Sequence, residues 1–150
     1  MTIQETTRRI REEHAKVEEL ADRLREWVAV VPRANIASWI TEARERFEHF
    51  RAHMTQHMAL EERDGYMSAV VRQRPSLSVE VDRLKHEHQE IERIMASVRR
   101  AVGALESDDR LLVRDCCHRI ENLLSYVEHH ENDENLLLTY AFTHDIGTKD

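Results

Sequence analysis

Glycine and proline are scarce in this chain, at three and two of 150 residues. Both interrupt regular backbone, so their rarity argues against a turn-rich β architecture and leaves room for long helices. Cysteine is equally rare, with two residues side by side at Cys116 and Cys117. Adjacent cysteines have neither the CxxC spacing of a zinc ribbon nor the number a disulfide framework needs, and they read as buried free thiols. Positive charge is not in excess either: 22 Lys and Arg face 29 Asp and Glu, for a net charge of -7. That leaves no basic stripe for a phosphate backbone and removes nucleic acid from the expected partners. The longest apolar runs, VAVV and LLL, fall far short of the ~20 residues a bilayer span needs, and nothing resembles a signal peptide. A cytoplasmic protein with no membrane partner is expected.

What is abundant is Glu, Arg, Ala and Leu, the side chains that favour helix. With 41% apolar residues in 150, the chain has material for one sizeable core, so a single all-α domain spanning 1–150 is expected. Helix breakers cluster at 32–35, 65–75 and 103–109. They leave four helical stretches of roughly 24 to 30 residues, the outline of an antiparallel, up-down-up-down four-helix bundle with short connections. Thr2 with Glu5 makes a capping box for the first helix, Asn35 is placed to cap the second, Ser76 the third, and Ser107 or Asp108 the fourth. Residues from about 143 to 150 read as a short flexible tail.

Laid over each other at an offset of 73 to 74 residues, the two halves match. EEHAKVEEL around His14 falls on HEHQEIERI around His88, and FRAHMTQHMALE falls on LLSYVEHHENDE. Val17 pairs with Ile91, Leu24 with Val98, Phe50 with Leu123 and Met54 with Val127, so core position falls on core position. Each half carries a histidine, a gap of 42 or 43 residues, then His-x3-Glu. An internal two-fold repeat follows.

At about 100° per residue, each histidine can be placed against the apolar stripe of its own helix. His14 lies within the stripe of Ile10, Val17, Ala21, Leu24 and Val28. His57 and Glu61 lie within that of Trp39, Ala43, Phe47, Phe50, Met54 and Met58. His88 falls among Leu84, Ile91, Met95, Val98 and Val102, while His130 and Glu134 fall beside Ile120, Leu123, Leu124, Val127 and Leu138. His53 is marginal; His49, His86 and His129 point away, and Asn132 and Asp133 read as solvated. Trp39, Phe47, Phe50 and the methionines at 54, 58 and 95 are assigned to core packing.

A single histidine on an apolar face is usually a hydrogen-bonded core residue. Six inward donors on four helices, repeated in two halves, are not explained that way. Two ionised glutamates without partners in a helix core would be costly, so positive charge belongs between them. A His and a Glu one turn apart can grip one cation with an imidazole nitrogen and a carboxylate oxygen. Six protein ligands exceed what one tetrahedral zinc takes, and the set lacks the thiolates that structural zinc prefers. Divided between two ions, it gives each two histidines with the glutamates shared, close to the two-histidine, one-carboxylate pattern of non-haem iron. The reading is a carboxylate-bridged di-iron centre; mixed iron and manganese, or two zinc ions, stay open. The Glu-x-x-His of ferritin-like bundles is absent, HMTQH at 53–57 puts Met54 where a zincin needs its glutamate, and no phosphate loop or nucleophile elbow is present.

These residues resemble the hemerythrin-like family, also called HHE cation-binding domains, over essentially the whole chain. The resemblance implies that His14, His57, Glu61, His88, His130 and Glu134 are the metal ligands. It also implies that the cofactor is a pair of iron ions, carboxylate-bridged and oxo- or hydroxo-bridged. Oxygen-carrying members usually have a second histidine one turn before or after the third-helix ligand. Here those positions are Leu84 and Glu92, which implies a more exposed coordination position and sets the chain apart from reversible carriers. Members of this less complete kind are associated with oxygen, peroxide, nitric oxide or iron supply, and the Cys-bearing N-terminal extension of the iron-sulfur repair members is not seen. The expected activity is peroxide dismutation by a catalase-like, non-haem di-iron oxidoreductase, with O2, H2O2 or NO as the small-molecule partner. An O2- or iron-sensing or carrier module without turnover is the alternative, and a structural zinc bundle is a third reading. Glu13 and Glu87, matched in the two halves, are expected either in water or behind the ligand imidazoles. His53 is expected at the polar margin or as a spare ligand. Oligomeric state is not legible in the chain.

Overall fold

The apolar stripes of the sequence are the buried faces of long helices. The computed structural model describes residues 3–63 and 65–143, and they form α1 (Ile3–Ala29), α2 (Ile36–Arg63), α3 (Tyr66–Gln73), α4 (Ser78–Gly103) and α5 (Arg110–Thr143). A 3-10 turn at Pro75–Leu77 joins α3 to α4, and no strand occurs among the described residues. α1 lies against α2 and α5, and α4 lies against the same two, so the four long helices close a ring around one core. None of the described helices is long and apolar enough to cross a membrane.

The core has two apolar parts. One is built around Leu24, Phe47, Phe50, Met54, Met95, Val98 and Leu123, and the other around Ile10, Tyr66, Met67, Val70, Leu84 and Leu138. On α1 the helix passes from the second cluster at Ile10 to the first at Val17, and on α4 from Leu84 to Ile91. His14 and His88 occupy the steps between. The inward histidines and glutamates therefore form a polar layer sandwiched between two dry ones. Each buried large apolar side chain contributes about 1.5–3 kcal/mol, and this flanking apolar material is what allows the layer to hold charge away from water.

Three local expectations are corrected. The 65–75 stretch, expected as a connection, contains α3, because YMSAVV places Tyr66, Met67 and Val70 at helical spacing and all three are fully buried. Gly65 permits this entry: a Cβ there would meet the Glu61 Cα, the Glu61 carbonyl and the Leu60 carbonyl at 2.6 Å each. Ser76 caps nothing, since it lies within the 3-10 turn and α4 begins at Ser78 behind Leu77. The fourth long helix is capped by Asp109 rather than Ser107 or Asp108, its Oδ1 accepting the Leu112 N–H at 3.1 Å and its carbonyl the Val113 N–H. Asn35 does precede α2, with φ of 57° and its carbonyl accepting the Trp39 N–H. The capping box at Thr2 and the tail beyond residue 143 lie outside the described residues. Cys116 and Cys117 are buried and free, and burial pushes their thiols up to about 12 and about 11.

Candidate metal centre

Helical periodicity alone delivers the six donors to one layer: His14 from α1, His57 and Glu61 from α2, His88 from α4, and His130 and Glu134 from α5 are all buried. Their imidazole Nε2 atoms converge on the carboxylates. His14 Nε2 lies 3.1 Å from Glu61 Oε2, 2.8 Å from Glu131 Oε2 and 3.4 Å from Glu134 Oε1. His57 Nε2 is 3.3 Å from Glu61 Oε2 and 3.6 Å from Glu131 Oε2. Across the layer, His88 Nε2 is 3.2 Å from Glu61 Oε1 and 3.6 Å from Glu134 Oε2, and His130 Nε2 is 3.2 Å from Glu134 Oε1. Glu61 thus turns one oxygen toward His14 and His57 and the other toward His88. Two groups of donors result, each with ligand atoms within 4.8 Å of one another: His14, His57, Glu61, Glu131 and Glu134, and Glu61, His88, His130 and Glu134. They share Glu61 and Glu134.

Three of the four outer nitrogens are braced, and for His14 and His88 the bracing crosses between the halves of the chain. His14 Nδ1 donates to Asn135 Oδ1 and His88 Nδ1 donates to Glu62 Oε2, both at 2.8 Å. Asn135 and Glu62 each follow an inward glutamate of the opposite half. His130 Nδ1 donates to Glu87 Oε1 at 2.8 Å, and His57 Nδ1 lies 3.8 Å from Glu13 Oε2, beyond hydrogen-bond length. With Nδ1–H held outward, Nε2 is the nitrogen presented to a cation, which is the tautomer a metal-binding imidazole needs. Glu87 therefore stands behind an imidazole, as one of its two expected readings had it, while Glu13 makes only the longer approach.

Charge in the layer is tightly balanced. Burial would push His14 down, but the carboxylates of Glu131, Glu134 and Glu61 outweigh it and lift the imidazole to about 12. His57 and His88 rise to about 10 against the same burial, through Glu131 and Glu61 for the first and Glu134 and Glu61 for the second. His130 is raised too, mainly by Glu134. Burial and mutual repulsion push Glu61 up, yet the surrounding imidazoles hold it below the usual carboxylate range, and Glu134 lies well below it for the same reason. Even so, the His57, His88 and His130 Nε2 atoms, Oε1 of Glu61 and of Glu134, and both Glu131 oxygens are buried without a hydrogen bond. Polar atoms orphaned in one place are what a cation would satisfy. Two divalent cations carry four positive charges, so they would replace the positive charge of the raised imidazoles, which must become neutral to bind through Nε2. The donor set fits two cations.

A family model described as Hemerythrin HHE cation binding domain matches residues 5–141. The chain belongs to this family. No curated protein and no solved structure matches it.

As a hemerythrin-like domain, the chain holds two residues that periodicity missed. Glu131, beside His130 and outside the apolar stripe, is nevertheless buried and joins the His14 and His57 group. Its adjacency to an inward histidine was the available signal, but only the approach of α1 buries it. Tyr66 is fully buried on α3 and its hydroxyl donates to Glu134 Oε2. Burial and the charges of Glu134 and Glu61 push the phenol well above its ordinary value, so it stays a donor. At the position of the carrier's missing histidine, Leu84 is 1% exposed and shares a cluster with Tyr66, so an apolar side chain and α3 flank that side of the layer. Glu92 faces solvent. His53 belongs to neither donor group, with Nε2 3.5 Å from Glu13 Oε2.

Proposed function

We propose that His14, His57, Glu61, His88, His130 and Glu134, with Glu131 added at the first position, hold two iron ions bridged by carboxylate and by oxo or hydroxo. The proposed activity is the dismutation of hydrogen peroxide. The observation that carries this reading is the pair of donor groups sharing Glu61 and Glu134, with the unsatisfied atoms of both groups directed into one buried layer. A bound iron pair supplies reversible two-electron redox chemistry, so one peroxide can be oxidised to O2 and a second reduced to two waters, the two protons lost by the first being gained by the second.

The chain's own residues set the conditions. The Nδ1 braces at Asn135, Glu62 and Glu87 hold three imidazoles in orientation. Met54, Met58 and Met95 on one side and Leu84 and Tyr66 on the other exclude bulk water from the layer. Tyr66 keeps Glu134 in place from the α3 side. The same reading takes the helices as alternating up-down-up-down with an internal two-fold repeat, supported by the matched bracing of His14 and His88, and it keeps the single-domain and cytoplasmic assignments. Its ligand is a small molecule, H2O2 first, with O2 and NO as the related species.

Metal quantification with an optical spectrum before and after peroxide, and an oxygen electrode, tests it. Two irons per chain, near-ultraviolet absorption and one O2 per two peroxides are expected. Zinc in place of iron, one ion per chain, or a stable oxygenated spectrum without turnover would overturn it, the last in favour of a carrier or sensor.

A further inference from the structure

Between α1 and α5 runs a cleft of about 150 Å³ whose lining includes His14 and Glu131. These are two of the donors of the first group, and Glu131, 8% exposed, faces the imidazoles of His14 and His57 at 2.8 and 3.6 Å through Oε2 and has no partner on Oε1. Ala21, a small residue in the wall, helps keep the passage from being filled. Glu18, Asp22 and Glu128 line the same cleft, and Arg25 spans it from Asp22 at 3.0 Å to Glu128 at 3.4 Å. Three carboxylates against one guanidinium give this seam a negative field, which attracts cations and repels anions.

The other grooves differ. The one lined by Arg51, Arg99 and Arg100 carries positive charge and reaches Met95, with no donor of either group in its lining. The one between α4 and α5 reaches His130, but no carboxylate of either donor group lies in its lining.

We infer that the α1–α5 cleft is the loading route for the divalent cations, with Glu131 as the ligand that receives each ion at its inner end. This rests on the two-cation reading of the buried layer. The route explains why the first group has an additional carboxylate and the second has none: an arriving hydrated cation exchanges water for a Glu131 oxygen before it meets the imidazoles. Ions bound for the second group then pass across Glu61 and Glu134, which both groups share.

Stopped-flow uptake of Co2+ by the metal-free full-length chain tests the route at low and high ionic strength. The triple variant E18Q/D22N/E128Q alters only exposed residues. It is expected to load about tenfold more slowly at low salt, the typical size of electrostatic steering, with the difference vanishing near ~1 M salt. E90Q/D133N, on the α4–α5 groove, should load like the wild type. Asn132→Trp, an exposed position on the cleft, should slow both uptake and release to a chelator while leaving their ratio unchanged. Wild-type rates in either cleft variant, or slowing by E90Q/D133N instead, overturn the inference. A wild-type chain that takes up no Co2+ would refute the two-cation reading itself, and the two failures are therefore distinguishable.

Discussion

Loading the buried layer with cations should expel protons, and the number is set by the structure. Without metal, His14, His57 and His88 are lifted to about 12, 10 and 10 by the carboxylates they face, and His130 is raised as well. At pH 8 at least three of the four imidazoles are then protonated, and each must become neutral to bind through Nε2. Two divalent cations should release at least three protons per chain, measured in a pH-stat or by calorimetry in buffers of different ionisation enthalpy. Each displaced proton weakens binding about tenfold per unit fall in pH, so the overall two-cation constant should drop about a thousandfold, or about 4 kcal/mol, for each unit. Stability of the metal-free chain runs the opposite way. A histidine whose folded value exceeds its unfolded value near 6.5 stabilises the fold fully below 6.5, and that contribution is lost as pH rises toward about 10. The depressed carboxylates Glu61 and Glu134 contribute above their ordinary value of 4.5 and lose that contribution as pH falls. The metal-free chain should therefore be most stable between about 4.5 and 6.5 and weaken steadily above, while the loaded chain, whose imidazoles are neutral, gains stability as pH rises to about 6.5 and holds it above. Release of fewer than one proton per chain at pH 8 would show that the imidazoles are neutral before loading, and the charge-exchange argument would fail.

Three substitutions probe the supports. Gly65→Ala puts a methyl group 2.6 Å from backbone atoms of Glu61 and Leu60, which cannot rotate away; a loss of about 1–3 kcal/mol in a thermal melt is expected, with weaker cation binding because α2's last turn carries Glu61. Tyr66→Phe removes the hydroxyl that donates to Glu134 and should cost about 1.5–3 kcal/mol in denaturant unfolding of the metal-free chain; an unchanged midpoint would show that the bond contributes nothing. Glu62→Ala leaves His88 Nδ1 without its acceptor and should lower cation affinity about 10- to 100-fold in chelator competition while the helix content stays the same.

Much of this site was legible because helical periodicity is a local property. A residue's angle around its own axis follows from its number, so counting from Val17, Met54, Ile91 and Val127 was enough to predict that His14, His57, His88 and His130 face inward, and all four are buried. The two glutamates one turn beyond followed by the same count. Capping residues were read less well, since several Ser and Asp lie near each break and only the finished backbone selects Asp109. α3 was missed because eight residues between Gly65 and Pro75 carry too little periodicity to outweigh two strong breakers.

By itself, then, the sequence determined the helical class, the stripes and the inward set of six donors. Tertiary structure decided what meets that set from outside each helix. Glu131 is buried because α1 covers it, Tyr66 reaches Glu134 because α3 folds back under Gly65, and Asn135 and Glu62 brace imidazoles of the opposite half across the bundle. The reason is that periodicity fixes direction relative to one axis, whereas a contact between helices depends on their separation and register, which only the packed core sets.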